Sequence, residues 1–170
     1  MILGGSSVED TVNNPKLPPT TNVAKYNIST EKWEKMPPLK EGRRYHGCSL
    51  YPAEPLPYII VAGGDPRPGT SELYPINGKG GEVVGDLHQG RYYLGLLTVP
   101  DTKGQSLNPK VYAIGGTNDI NGGQNFKGIE QWQASTRTWL KTLIELATPR
   151  WGFGAVALKD TMICKDSGKC

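Results

Sequence analysis

The 170-residue sequence is poor in the residues that build large hydrophobic interiors and metal sites. It contains 2 Phe, 3 Met, 3 Cys and 2 His, and hydrophobic residues make up only 36% of the chain. The low, odd number of cysteines argues against a disulfide framework, and two histidines without a Cys-x-x-Cys pair argue against structural zinc. We expect no metal and no cofactor. We expect Cys48 to be a small buried hydrophobe, and Cys164 and Cys170 either to pair or to stay free.

The sequence also lacks long apolar runs and a strong charge of one sign. No stretch approaches the roughly 20 apolar residues of a membrane span, and the first residues have no basic segment of the signal-peptide kind. The net charge is only +3, and the basic residues are scattered, so we expect neither nucleic acid nor membrane as a partner. A cytoplasmic location is slightly favoured, although the glycosylation sequon Asn27-Ile28-Ser29 keeps a secreted form open.

Glycine and proline, by contrast, are abundant. The chain has 22 Gly and 14 Pro, and these 22 + 14 = 36 residues are about a fifth of the chain, against a usual ~12%. Because both residues interrupt helices, the composition argues against a helical bundle. It favours an all-β fold with many short strands joined by tight turns.

An aromatic motif occurs twice along the chain. Tyr26 to Trp33 and Trp132 to Trp139 both read aromatic-x-x-Ser-Thr-x-x-Trp. The two final tryptophans are 139 − 33 = 106 residues apart, or two periods of about 53. In a middle copy Tyr74 supplies the aromatic residue, and the tryptophan position falls at Gly81. A repeat of this length is typical of architectures in which similar units pack side by side.

Each repeat also contains an arginine that opens an apolar run and a second apolar run that ends in two glycines. The arginines are Arg44, Arg91 and Arg150, and the glycine pairs are Gly4-Gly5, Gly63-Gly64 and Gly115-Gly116. Together with the aromatic motif, this predicts four short antiparallel strands per unit, as in one blade of a β-propeller. Glycine at a strand end allows close approach of another backbone.

With these motifs the sequence resembles the kelch-repeat family. The resemblance implies a kelch-type β-propeller of four-stranded antiparallel blades. It assigns structural roles to one set of blade residues: Gly63, Gly64, Gly115, Gly116, Tyr26, Trp33, Tyr74, Trp132 and Trp139. Among them, Trp33, Trp132 and Trp139 are expected to be buried in the core between blades. About 3.4 units fit into the chain, whereas family propellers have six or seven, so we expect an incomplete ring and a fragment of about three blades.

We expect the blades to divide the chain into four parts. Residues 1–40 are a partial blade, residues 41–88 are a blade, and residues 89–146 are a blade with an insertion at 101–109. Residues 147–170 are the truncated start of another. Open blade faces would expose apolar surface, so self-association is expected, with a half-ring completed by a second copy as one form of it.

The residues that open each first strand are the candidate binding residues, because they should gather near the central channel. They are Arg44, Tyr45, His46, Arg91, Tyr92, Tyr93, Arg150 and Trp151. Arginine and aromatic side chains are enriched at binding hot spots, and arginine binds carboxylates with two hydrogen bonds. Each also has a structural interpretation as a blade residue. Arg91→Ala is expected to affect binding more than folding.

Catalytic motifs are missing from the sequence. There is no Gly-x-Ser-x-Gly elbow and no phosphate-binding loop. The acidic residues Asp65, Glu72 and Asp119 are expected to be turn formers or solvated groups. Copper radical oxidases resemble kelch propellers, but their site takes two histidines, two tyrosines and a tyrosine-linked cysteine. Here His46 and His88 occupy different places in the repeat.

The sequence therefore predicts a non-catalytic module, not an enzyme, that binds a protein or peptide partner through loop and channel-mouth residues. The alternative is a fragment of a secreted kelch-type protein that binds glycans or resembles a copper radical oxidase.

Overall fold

The protein, described here from a computed structural model, is an all-β chain with three antiparallel sheets. The structure describes residues 1–6, 18–100 and 109–158, and these ranges contain no helix. The expected Cys164, Cys170 and nearly all of the 101–109 insertion lie outside them. Because there is no helix in these ranges, none of them holds one that could cross a membrane.

The strands follow one another in sequence order within each sheet. Sheet 1 contains β1 (Ile2–Leu3), β2 (Val23–Asn27) and β3 (Lys32–Met36). Sheet 2 contains β4 (Gly47–Tyr51), β5 (Tyr58–Ala62), β6 (Ser71–Pro75) and β7 (Glu82–Val84). Sheet 3 contains β8 (Gly95–Val99), β9 (Lys110–Ile114), β10 (Gly128–Gln133) and β11 (Thr138–Glu145). The four-stranded antiparallel unit is therefore confirmed in sheets 2 and 3; a closed ring of sheets is not observed.

The repeated aromatic motif is a β-hairpin. Tyr26 pairs with Trp33 across β2 and β3, and Trp132 pairs with Trp139 across β10 and β11. Glu31 and Arg137 end the two turns with φ of 53° and 57°, the left-handed conformation that lets the chain reverse over a short turn. Because the aromatic residue and the tryptophan are cross-strand partners in both hairpins, this pair aligns the residues of sheet 1 with those of sheet 3.

The glycine pairs lie where one sheet touches the start of the next. Gly63 has φ of 73°, and a Cβ there would lie 2.5 Å from the Arg91 carbonyl oxygen. The backbone N–H of Gly64 donates to that same carbonyl at 2.8 Å. A side chain at Gly63 would push the start of sheet 3 away, and one at Gly64 would collide with Arg44 and His46 before β4, which is the physical reason for glycine at both positions.

Two apolar layers hold the sheets together. The layer between sheets 2 and 3 is the larger and includes Ile60, Leu73, Leu96, Trp132 and Trp139. The layer between sheets 1 and 2 contains Leu3, Val23, Leu39, Val61 and Tyr74. Sheet 2 thus lies between the other two and packs against both of them.

Three sequence expectations about burial are wrong. Tyr26 and Trp33 are 41% and 56% exposed, because they point away from sheet 2 and contact no other described sheet. Cys48 is an exposed free thiol instead of a buried one. Glu72 is fully buried in β6 and is not a solvated loop residue.

Candidate functional site

The candidate binding residues lie where the first strand of each sheet begins. The three repeats align through equivalent backbone hydrogen bonds, each from the second glycine of a pair to an arginine carbonyl. These bonds are Gly5 N to Arg43 O at 2.7 Å, Gly64 N to Arg91 O at 2.8 Å and Gly116 N to Arg150 O at 2.9 Å. Arg43, not Arg44, is therefore the repeat equivalent of Arg91, and Tyr45, Tyr93 and Gly152 are equivalent to one another.

Three aromatic side chains form a continuous row across this end of the sheets. The ring centroids of Tyr45 and Tyr93 are 4.4 Å apart, and those of Tyr93 and Trp151 are 5.2 Å apart. The backbone continues the row, because Tyr93 N donates to Tyr45 O at 2.7 Å and Gly152 N donates to Tyr93 O at 2.9 Å. We call Tyr45, Tyr93 and Trp151 the aromatic row.

Two members of the aromatic row are held in an unfavourable backbone conformation. Tyr45 and Tyr93 have φ of 60° and 55°, and the equivalent Gly152 has φ of 64°. The left-handed region costs a residue with a side chain roughly 1 to 2 kcal/mol, a cost that glycine avoids. Tyrosine at two of the three positions places a ring over the end of the sheet in spite of that cost. Such strained residues cluster at binding and active sites.

Charged and polar groups lie beside the row. Arg44 Nε donates to Asp65 Oδ2 at 2.8 Å, and the Arg44 guanidinium lies 5.2 Å from the centroid of the Tyr45 ring. Burial raises the pKa of Tyr92 and Tyr93; the carboxylate of Asp65 adds to the shift at Tyr92, and the hydroxyl of Tyr45 adds to it at Tyr93. Both phenols therefore remain protonated at neutral pH and can donate hydrogen bonds. Tyr45 and Trp151 are 38% and 47% exposed, so the row is accessible.

Arg91 does not join this surface. It is 2% exposed, and its guanidinium donates to the carbonyls of Gly115 and Gly128 and to Glu130 Oε1 at 2.9 Å. Arg43 makes the equivalent bonds to Gly63 O and Thr70 O, both at 3.1 Å. The expected channel-mouth position of Arg91 is thus replaced by an internal one, while the equivalent Arg150 is exposed.

His46 lies inside, between sheets 1 and 2. Burial and the nearby charge of Arg43 lower its pKa to about 4, and its ring bonds to the backbone of Leu3. Its Nδ1 is buried without a hydrogen-bond partner. The equivalent residues are Leu94 and Phe153, so a neutral imidazole here fills an apolar position of the repeat.

Two buried glutamates were missed as structural residues by the sequence reasoning. Glu130 accepts from His88 N at 2.7 Å and from Gln89 N at 3.2 Å, and the equivalent Glu72 accepts from Lys40 N at 2.9 Å. Each carboxylate thereby ties its sheet to the loop that precedes the arginine and first strand of that same sheet. The shared Glu-x-aromatic spacing of Glu72 with Tyr74 and of Glu130 with Trp132 is the signal that could have revealed them.

The donor set of a copper site is not assembled in the part of the chain described. There, no three His, Cys, Asp or Glu side chains are grouped so as to hold a metal ion. His46 is half-buried between sheets 1 and 2, whereas His88 is exposed on the loop before β8. The residues present do not fit a copper ion on their own.

Comparison with known proteins gives a structural match only. No family model and no curated protein matches the chain. A solved fungal alcohol oxidase of the AA5 family, described as catalytically diverse and in complex with copper, is similar with a TM-score of 0.54 and 18% identity. The match covers 73% of this chain and 24% of that chain, so it corresponds to about a quarter of the oxidase. This likeness establishes a shared fold, and the kelch assignment stays a prediction.

The same comparison corrects the expectation that the chain is not an enzyme. The sheets of this chain are similar to those of an alcohol oxidase, and nothing supports a non-catalytic binding module. The sequence alternative, a protein resembling a copper oxidase, agrees better with the fold.

Proposed function

We propose that the chain provides three adjacent blades of an alcohol-oxidase-like β-propeller, and that the aromatic row is the surface that receives the alcohol. The observation that carries the proposal is the row itself, held by strained tyrosines in a fold similar to that of an alcohol oxidase. The described residues do not fit a copper ion, and we assign no chemical step to one.

The row suits an alcohol for two reasons. Its aromatic faces offer apolar contact for the carbon skeleton, while hydrogen-bond donors and acceptors stand beside them. Arg44 and Asp65 are each about one-fifth exposed, so both can exchange hydrogen bonds with a hydroxyl group. Ligand sites combine an apolar lining with a few such polar groups in this way. A glycan, which is a polyol, belongs to the same ligand class.

Binding to the purified chain tests the proposal. Benzyl alcohol, glycerol and a hexose are titrated while the side-chain resonances of the row are followed by NMR. Tyr45→Ala is expected to weaken binding at least five-fold, because it removes one end of the row. Tyr26→Ala is the matched control, since Tyr26 is 41% exposed against 38% for Tyr45 and lies in sheet 1 away from the row.

Two outcomes oppose the proposal. One is that none of the three alcohols moves the row resonances, and the other is that Tyr26→Ala weakens binding as much as Tyr45→Ala. Metal analysis after incubation with copper is expected to find less than one copper per chain.

A further inference from the structure

Within the described residues, sheet 1 has no strand equivalent to the innermost strand of the other two sheets. β1 ends at Gly4-Gly5 and is therefore equivalent to β5 and β9, each of which pairs with a preceding strand, β4 and β8. In sheet 1 the order is β1-β2-β3, so β1 has one unpaired edge. An unpaired strand edge is a template for another strand.

A segment equivalent to the absent strand is present elsewhere in the chain. Residues 154–158 follow Arg150 as Gly95–Val99 follow Arg91, yet they form no strand. This overturns the expectation that the run from Arg150 to Val156 is a strand, because no described strand lies beside it. Val156 and Leu158 are 74% and 58% exposed. Arg150 is bonded to Gly116 beside sheet 3, and sheet 2 separates it from sheet 1, so the segment cannot reach β1 of its own chain.

The exposure of Cys48 in sheet 2 is a second sign that the strand beside β1 is absent from the described residues. The equivalent residue in β8, Leu96, is 8% exposed because it packs on Gly47 of the preceding sheet. Cys48 would pack in the same way on the glycine of the absent strand. In the equivalent segment that glycine is Gly154.

The outward face of sheet 1 carries the same aromatic pair as a buried face of sheet 3. The Tyr26 and Trp33 rings lie 5.2 Å apart at 54°, and the Trp132 and Trp139 rings lie 5.4 Å apart at 60°. The second pair is covered by the face of sheet 2 that bears Leu73, and Trp139 Nε1 donates to Ser71 Oγ at 3.0 Å. The equivalent face of sheet 3 is half-buried and carries Ile114, Ile129 and Gln131.

We propose that a second copy of this chain docks head to tail on sheet 1. Residues 154–158 of the second copy add to the edge of β1 as its fourth strand, with Gly154 opposite Leu3 and Val156 opposite Met1. Its sheet 3 covers Tyr26 and Trp33. A twofold axis repeats the junction and closes the dimer, so neither copy retains an open end. The junction uses none of the aromatic row, so it stands or falls independently of alcohol binding.

The mass of the purified chain is measured by light scattering over a dilution series. The wild type is expected to have twice the chain mass of 18.5 kDa and to dissociate on dilution. The double change Ala155→Pro/Val156→Pro is expected to give a monomer, because proline cannot donate to a strand pair. The double change removes no strand pair from the monomer, since these residues belong to no strand. Trp33→Asp is expected to give a monomer as well.

Mixing the two monomeric variants tests whether the copies dock head to tail. The proline variant keeps an intact sheet 1, and Trp33→Asp keeps an intact 154–158 segment, so an equimolar mixture restores one junction and recovers part of the dimer. Val83→Asp is the control, because Val83 is 47% exposed on the outer strand β7 and lies outside the junction. In a Cys164→Ser/Cys170→Ser background, alkylation of Cys48 is expected to slow at least ten-fold in the dimer.

Three results would overturn the proposal. They are a wild-type monomer at all concentrations, a proline variant that still forms the dimer, and Cys48 alkylation that does not depend on concentration. A dimer that fails to bind any alcohol would contradict the proposed function alone.

Discussion

The aromatic pairs of sheets 1 and 3 are nearly the same object in two surroundings. Ring separations of 5.2 and 5.4 Å and matching hairpin registers give them one geometry. Yet Trp33 is 56% exposed and Trp139 is 1% exposed. The motif therefore determines how the two rings meet within a sheet, and the neighbouring sheet determines whether they are buried. In repeat proteins, stability is divided in the same way between units and their interfaces.

The two aromatic pairs are expected to differ most when the tryptophan of each is truncated to alanine. Trp139→Ala is expected to lower the free energy of unfolding by about 3 to 5 kcal/mol, as for a buried aromatic residue. Trp33→Ala is expected to cost about 1 kcal/mol or less when the chain is dilute enough to be monomeric. Urea denaturation of both variants measures the difference. Equal losses would mean that the burial of the pair does not determine its contribution.

A second comparison is between a buried arginine, Arg91, and a partly solvated one, Arg44. Arg91→Ala is expected to cost at least about 3 kcal/mol, because the Glu130 side chain, 1% exposed, would lose its buried ion-pair partner. The control is Arg44→Ala, whose ion pair with Asp65 is partly solvated and contributes about 1 kcal/mol or less. Thermal melts of both variants compare them. A smaller loss for Arg91→Ala than for Arg44→Ala would reverse the internal assignment of Arg91.

His46 is expected to make the stability of the layer between sheets 1 and 2 depend on pH. The pKa of His46 is about 4 in the fold and 6.5 in an unfolded chain. Between these values the unfolded state binds more protons, so stability falls as pH falls from 6.5 to 4, by at most roughly 3 kcal/mol. His46→Leu, which introduces the residue of the equivalent position Leu94, is expected to flatten this part of the pH profile.

Denaturation at pH 7, 5.5 and 4 follows the effect. His88→Leu is the control, because His88 is exposed. An unchanged slope in His46→Leu would mean that other groups cause the acid sensitivity.

The smallest expected loss of stability concerns one hydrogen bond between sheets 2 and 3. Ser71→Ala leaves the Trp139 indole N–H without its acceptor at 3.0 Å and is expected to cost about 1 to 2 kcal/mol. Ser49→Ala, which removes a half-buried hydroxyl bonded to Thr98 at 2.7 Å, provides a comparison in the same layer. If Trp139→Phe and Ser71→Ala lose stability additively, the hydrogen bond is not what connects them.

The sequence repeat made the strands predictable, but it did not predict which side chains a neighbouring sheet would bury. Glycine pairs and aromatic spacing correctly indicated four strands per unit, including the place of Gly81 opposite Tyr74. They could not indicate the burial of Trp33 or Cys48, because burial depends on a second sheet. Arg43 and Arg44 are adjacent, and only the carbonyl that accepts from Gly5 distinguishes which one enters the interior.

The aromatic row was only partly predictable for a similar reason. Its residues were candidates, but the sequence could not show that Tyr45 and Tyr93 stack while Arg91 turns inward. That choice depends on backbone dihedral angles, and tyrosine at positive φ is not expected from residue type.

The backbone bridges beneath the aromatic row give each sheet boundary its own reporter. Tyr93 N bonds across to Tyr45 O, and Gly152 N bonds across to Tyr93 O, so neither amide belongs to the ladder of a strand pair. Exchange of these two protons with solvent deuterium requires neighbouring sheets to part, whereas exchange at Ile60 or Ala113 requires a sheet to open. Their relative rates would distinguish a chain that loosens sheet by sheet from one that unfolds as a single cooperative unit.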